Sequence, residues 1–195
     1  MRTKSVLLTL LAILFMNLHA AAQNPIKQGH NGKRILVAYF SATGTTAEAA
    51  KKLAQVTGGE LYAITPAKPY TNADLDWHNK QSRSSVEMND LKSRPVLKNK
   101  KENIADYEVI FIGYPIWWNL APRVVNTFIE SHDLKNKIII PFATSGGSSI
   151  TGSVTALKKD YHNLKWKEGR LLNRANEKSI REWVDKLGYL SLIHI

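Results

Sequence analysis

Three short, unbroken apolar runs constrain this chain most: 34–40 (Arg-Ile-Leu-Val-Ala-Tyr-Phe), 107–114 (Tyr-Glu-Val-Ile-Phe-Ile-Gly-Tyr) and 137–142 (Lys-Ile-Ile-Ile-Pro-Phe). None alternates apolar with polar residues. Each therefore fits a strand buried on both faces, as in a parallel sheet. A weaker strand is expected over 60–65 and a short fifth one within 164–172. Between them lie segments of helical spacing at 47–56, 122–131, 150–161 and 177–187. Strands alternating with helices predict an α/β chain with helices on both faces and right-handed crossovers. The segment 66–105 is long, polar and basic, and its spacing predicts a helix near 73–90 flanked by loops.

The two ends read differently. Residues 1–22 have the three parts of a secretory signal: Arg2 and Lys4, an apolar run over 5–18, and the small-residue site Ala20-Ala21-Ala22. Export to the periplasm is expected, with a mature chain starting near Gln23 and no integral membrane span after cleavage. The alternative is an uncleaved anchor, against which the run is short. Residues 23–33 are a polar linker, and 34–188 the domain. Residues 190–195 (Leu-Ser-Leu-Ile-His-Ile) place an apolar run after the stop at Gly188. One codon choice for them spells a transposase adapter of sequencing libraries, so we read them as an assembly artefact; a genuine apolar tail packing on the sheet is the alternative.

The chain has no cysteine, which excludes disulfides, thiolate metal sites and a Cys nucleophile. Its net charge is +11, and loss of Arg2 and Lys4 with the signal leaves 25 basic against 16 acidic side chains, or +9. An acidic partner is favoured over a basic one. Charge alone would permit nucleic acid, but export and the lack of a recognised motif argue against it. His78, His132 and His162 show no metal-ligand spacing.

Three loops follow central strands, where open parallel sheets bind ligands. The first holds Ser41, Thr43, Gly44, Thr45 and Thr46, with neither lysine nor arginine. It lacks both the three glycines of a dinucleotide loop and the Gly-Lys-Ser/Thr of a P-loop. Neutral donors at a helix start suit a phosphate monoester, or else simply cap the helix. The second loop runs Pro115, Ile116, Trp117, Trp118, Asn119. Adjacent tryptophans point opposite ways in extended chain, so at least one is expected to meet a ligand or a surface. A planar ring would stack there; closing the sheet end or a dimer contact is the alternative. The third loop holds Thr144, Ser145, Gly146 and Gly147, which let backbone approach a flat ligand or merely turn the chain. Together the loops describe a pocket for a planar ring carrying a phosphate.

In these loops the chain resembles the flavodoxins, more closely a bacterial exported flavodoxin-like subfamily to which the second and third of the segments below belong, over about residues 33–188. Ser41, Thr43, Gly44 and Thr46 match the family's Ser/Thr-x-Thr-Gly-x-Thr loop; 113–118 match Gly-Tyr-Pro-Ile-Trp-Trp, and 141–148 match Pro-Phe-Ala-Thr-Ser-Gly-Gly-Ser. The resemblance implies a three-layer doubly wound sandwich with a five-stranded parallel sheet of order 2-1-3-4-5, and FMN at the switch point of strand order. By position, Ser41, Thr43, Gly44, Thr45 and Thr46 would hold the phosphate. Pro115, Ile116, Trp117, Trp118 and Asn119 would lie along the isoalloxazine, Trp117 stacking, and Thr144, Ser145, Gly146 and Gly147 would approach the pyrimidine edge. Thr45 stands where flavodoxins usually have Asn. Flavodoxins are usually acidic; at +9, a very low reduction potential is not expected here.

The implied function is oxidoreduction or electron transfer through a non-covalent flavin, with no catalytic acid, base or nucleophile and no metal. An enzyme acting on NAD(P)H or quinones, a pure electron carrier to an acidic redox partner, and a non-redox module that has lost FMN are the three forms this can take. The 66–105 segment would cover the flavin, form a partner surface, or stand solvated. Within it, Asp74, Asp76, Trp77 and His78 would line a substrate mouth or sit on a capped surface helix.

Overall fold

The computed structural model describes residues 33–188. The signal segment, all but the last residue of the linker, and the 190–195 tail lie outside the described residues. Strands β1 (Ile35–Tyr39), β2 (Glu60–Ala63), β3 (Val109–Pro115), β4 (Ile138–Thr144), β5 (Lys165–Trp166) and β6 (Arg170–Leu171) alternate with helices α1 (Thr45–Thr57), α2 (Arg83–Asn89), α3 (Arg123–Glu130), α4 (Thr151–Asp160) and α5 (Glu177–Lys186). All strand pairs are parallel, in the order β2-β1-β3-β4-β5, with β6 also on β4.

Side chains of successive strand residues point to opposite faces, and the central strands feed two cores. Leu36, Ala38, Ile110 and Ile112 pack with Val124, Val125 and Phe128 of α3 and Leu157 of α4. Ile35, Val37, Val109 and Phe111 pack with Leu53 of α1 and Ile180, Trp183 and Val184 of α5. This is the three-layer sandwich. Burial on both faces explains why these strands read as unbroken apolar runs. Helix α1 starts after Gly44 (φ 93°) and stops at Gly58 (φ 68°), two left-handed positions that favour glycine.

Two expectations need correction. The fifth strand is in two pieces, β5 and β6. Lys167 N–H donates to Ile139 O (2.8 Å) and Leu172 N–H to Ala143 O (2.8 Å), so the odd-numbered residues of β4 face this edge. Pro141 lies between them and has no N–H to give. Opposite it the edge strand breaks: a Cβ on Gly169 would stand 2.8 Å from Pro141 Cγ and 2.9 Å from Pro141 O.

The helix expected over 73–90 is confined to Arg83–Asn89. Before it, side chains compete for the backbone. Asp74 accepts from Thr71 N–H (2.9 Å), Asp76 from His78 N–H (3.1 Å) and Asn79 from Gln81 N–H (2.9 Å), holding turns instead of a helix. Ser82 then caps α2 by accepting from Ser85 N–H.

The insertion is tied down at its root and at its far side. Ala67 N–H donates to Val96 O (2.7 Å) and Lys98 N–H to Thr65 O (2.8 Å). Buried Arg123 donates to Met88 O (3.0 Å), and Arg94 grips Glu130 with two bonds of 2.7 and 2.8 Å. Among the described residues no helix is long and apolar enough to cross a membrane.

Gly113 in β3 lies beneath the Phe142 ring, and a Cβ there would meet ring carbons at 2.1–2.6 Å. Gly113→Ala is expected to destabilise the fold by about 1–3 kcal/mol through overpacking, read as a lower denaturant midpoint; Gly113→Ala with Phe142→Leu should recover part of the loss.

Candidate functional site

β1, β3 and β4 end at nearly the same level, with Tyr39 opposite Gly113, Gly113 opposite Phe142, and Pro115 opposite Thr144. Pairing continues past the strand ends: Phe40 N–H donates to Gly113 O (2.9 Å) and Ile116 N–H to Thr144 O (2.8 Å). The three predicted loops therefore leave one end of the sheet side by side.

In the first loop Ser41 Oγ accepts from Gly44 N–H (3.1 Å) and closes the turn. The first bond inside α1 runs from Glu48 N–H to Gly44 O (3.0 Å). The N–H groups of Thr45, Thr46 and Ala47 have no acceptor within the helix, and they stand at its positive end. Thr43, Gly44 and Thr45 are exposed. Thr46 is buried, its hydroxyl 2.8 Å from that of buried Thr144, so this pair clasps the first loop to the third.

In the second loop, Trp117 and Leu120 exchange backbone bonds of 3.0 and 2.9 Å around a two-residue turn. Its central residues, Trp118 (φ 46°) and Asn119 (φ 62°), are both left-handed. That turn ordinarily takes Asn-Gly. A left-handed tryptophan costs about 1–2 kcal/mol, and here the strain presents an indole that is 47% exposed. Trp117 is half-buried. Its ring stands edge-on to Phe40 (5.6 Å, 87°) and to Tyr70 of the insertion (5.4 Å, 84°). Tyr70 carries the Arg83 guanidinium 4.1 Å above its ring and donates its hydroxyl to Glu87. Burial first, and the bond to Glu87 second, hold that phenol well above its ordinary pKa.

In the third loop Ser145 Oγ accepts from Gly147 N–H (3.1 Å) and Ser148 N–H (2.7 Å). The Asn173 amide clamps Ser145 on both sides, accepting from its N–H (2.8 Å) and donating to its carbonyl (2.6 Å). The space in front of Gly146 and Gly147 is open: a Cβ on either would meet nothing within 4 Å. Behind the loop, Tyr114 OH lies 3.1 Å from Ser153 Oγ, and burial pushes the phenol up to about 12.

A cavity of about 530 Å³ opens between these loops and the insertion. Thr43, Pro115, Ile116, Trp117, Trp118 and Gly146 of the predicted set line it, together with Ala42. Ser41 and Gly44 line a second cavity of about 270 Å³ on the β2 side of the first loop. Thr45, Asn119, Ser145 and Gly147 line neither of these two, and Thr46 and Thr144 sit behind as the clasp. The insertion adds Leu75, Trp77 and Ser84 to the larger cavity. Of the residues proposed for a mouth, only Trp77 lines it; His78 stacks on the Trp77 ring. Leu75, Ser84, Tyr70 and Asn173 were not singled out in the sequence. The lining contains no charged side chain. Among the described residues no His, Asp and Glu cluster could hold a metal ion.

A family model described as flavodoxin matches residues 34–187. Among solved structures, a protein given as a candidate flavoprotein from Bacteroides eggerthii is 68% identical, with a TM-score of 0.79 over 80% of this chain and 98% of that one. One so described from Bacteroides uniformis is 57% identical, with a TM-score of 0.77 over 78% of this chain and 98% of that one. A flavoprotein from Lactobacillus acidophilus, solved in complex with FMN, shares the fold at 19% identity, with a TM-score of 0.62 over 78% of this chain and 99% of that one. No curated protein matches the chain.

The Thr46–Thr144 clasp is open to a double-mutant cycle. Thr46→Val or Thr144→Val leaves one buried hydroxyl unpaired, with an expected loss of about 1–3 kcal/mol each. The double variant should lose clearly less than the sum, and additive losses in chemical denaturation would show that the hydroxyls are not coupled.

Proposed function

Because the chain belongs to the flavodoxin family, we propose that it is an exported, periplasmic protein that holds FMN without a covalent bond and serves in oxidoreduction. One observation carries the reading: a lysine-free helix start with unpaired N–H groups adjoins an uncharged aromatic cavity at the switch point of a 2-1-3-4-5 sheet.

The residues present fit the cofactor. The N–H groups of 45–47 and the exposed Thr43 and Thr45 would take the phosphate, with Ser41 holding the turn. Thr46 would act through Thr144, keeping the first and third loops at a fixed spacing. Trp117 is locked by Phe40 and Tyr70, so it offers a ring with little orientational freedom to lose on binding. Pro115, Ile116, Trp118 and Asn119 would continue that wall. Ser145, Gly146 and Gly147 would face the polar edge of the ring, where open space lies before the two glycines, with Thr144 behind them in the clasp. Bound there, the flavin supplies the redox chemistry and the chain supplies orientation, shielding from water and electrostatics. The chain enters the periplasm before it folds, so the cofactor would be captured there.

A titration of the mature chain with FMN, followed by flavin fluorescence, tests the reading. Micromolar or tighter binding is expected for wild type, with a loss of about tenfold for Thr43→Ala and for Trp117→Ala. No binding by a chain shown to be folded would overturn it. For export, mass spectrometry of the periplasmic fraction should find a mature N-terminus at Gln23; an intact Met1 on soluble protein would count against it.

A further inference from the structure

We propose that Asn173 is a positioning residue of the cofactor site: its amide holds the third loop so that Gly146 N–H is the donor left for the polar edge of the flavin ring. The proposal rests on the FMN reading and adds the residue that governs how that edge is met.

Asn173 lines neither of the two cavities. It stands just past β6, where the backbone leaves the sheet. Leu172 N–H still pairs with Ala143 O of β4 (2.8 Å). Ala175 N–H then takes the Leu172 carbonyl (3.3 Å), and Arg174 is left-handed (φ 51°). Ser145, two residues beyond Ala143, therefore meets no strand on this side. The Asn173 side chain takes the place of one, accepting from Ser145 N–H (2.8 Å) and donating to Ser145 O (2.6 Å). A primary amide offers one acceptor and one donor side by side, so it can close on both backbone groups of a single residue. Aspartate lacks the donor, and alanine lacks both groups. The turn that carries Asn173 is itself fixed. Leu172 is buried in the core, and Asn176 accepts from Ser179 N–H (2.9 Å) at the start of α5.

The donors of the third loop can be accounted for one by one. Ser145 N–H goes to Asn173, and Gly147 N–H (3.1 Å) and Ser148 N–H (2.7 Å) go to Ser145 Oγ. Of residues 145–148, Gly146 alone has an N–H with no acceptor among the described residues. Gly146 is also the one of these four that lines the main cavity, with open space before it. Ser145 is thus the hub: Asn173 fixes its backbone, and its hydroxyl fixes the turn around Gly146. A donor held in place before binding stabilises negative charge gained opposite it without reorganising. Asn173 therefore acts on the potential of a bound flavin as well as on its affinity, although it does not touch the cavity.

The test uses the mature protein and FMN. Affinity by fluorescence titration and the reduction potential of the bound cofactor are measured for wild type, Asn173→Ala and Asn173→Asp. Affinity is also measured for Gly146→Pro, which removes the N–H, and for Asn173→Ala with Gly146→Pro; circular dichroism checks that each is folded. Asn173→Ala should weaken FMN about fivefold and move the potential to a more negative value. Asn173→Asp should move it further, because a carboxylate adds its charge to the lost donor. In the Gly146→Pro background Asn173→Ala should weaken FMN less than about twofold, since the donor it positions is gone. An unchanged potential in both Asn173 variants, or an equal loss of affinity in both backgrounds, would show a merely structural clamp and overturn the proposal while leaving the FMN reading intact. Should Gly146→Pro fail to fold, the potentials of the two Asn173 variants decide alone. Failure of folded wild type to bind FMN would overturn both.

Discussion

Backbone pairing of β1, β3 and β4 decides where every functional group can stand. β3 is paired on both sides and buried on both faces, and a one-residue slip would send each of its side chains into the wrong core. The register is therefore rigidly specified, and with it the level at which the three strands end. The loops inherit that level and are then stitched to one another by Phe40 N–H, Ile116 N–H and the Thr46–Thr144 hydroxyl pair. A ligand entering such a site meets donors and rings already in place, which lowers the ordering cost of binding.

The insertion completes the site by a different kind of contact. Its anchors are mostly polar: Arg94 on Glu130, a carboxylate that also accepts from Tyr161 of the main domain (2.6 Å), and Arg123 on Met88 O. Arg94 first, with Tyr161 also contributing, holds Glu130 below the usual carboxylate pKa, so this anchor is at full strength above the ordinary carboxylate range and fades as pH falls through it. A half-exposed pair of this kind contributes about 1 kcal/mol or less. The apolar part is Tyr70 against Phe40 and Trp117. That contact links the insertion directly to the wall of the cavity, so movement of the arm would be felt first at Trp117.

Much of this was legible in the residues, for reasons that also explain what was not. Doubly buried strands leave unbroken apolar runs, and helix starts leave glycines and hydroxyls; hence the sheet, the helices and the three loops could be read directly. The edge strand stands where its residues place it, but its break follows from Pro141 on the neighbouring strand, a pairing partner that local pattern does not reveal. The long helix over 73–90 was overextended because Asp74, Asp76 and Asn79 bond the backbone locally and outweigh helical spacing. Asn173 and Tyr70 act on loops far away in sequence, and nothing near them in the chain marks that role. The Trp117-Trp118 pair was legible as unusual. Only the left-handed turn distinguishes the buttressed ring from the exposed one.

The positive charge read from composition acts elsewhere than the cavity. Arg34 pairs with Asp106 and Lys101 with Glu60, while Lys137 donates to the carbonyls of Ala105 and Tyr107, all near the opposite ends of the strands from the loops. At physiological salt a surface charge is felt over about 8 Å. At that range these groups, each already paired or bonded, do not touch what the cavity admits. Inside the cavity the selection is made at contact, by indole faces, hydroxyls and backbone. Net charge and ligand class are thus set by separate parts of the same chain, and neither could have been inferred from the other.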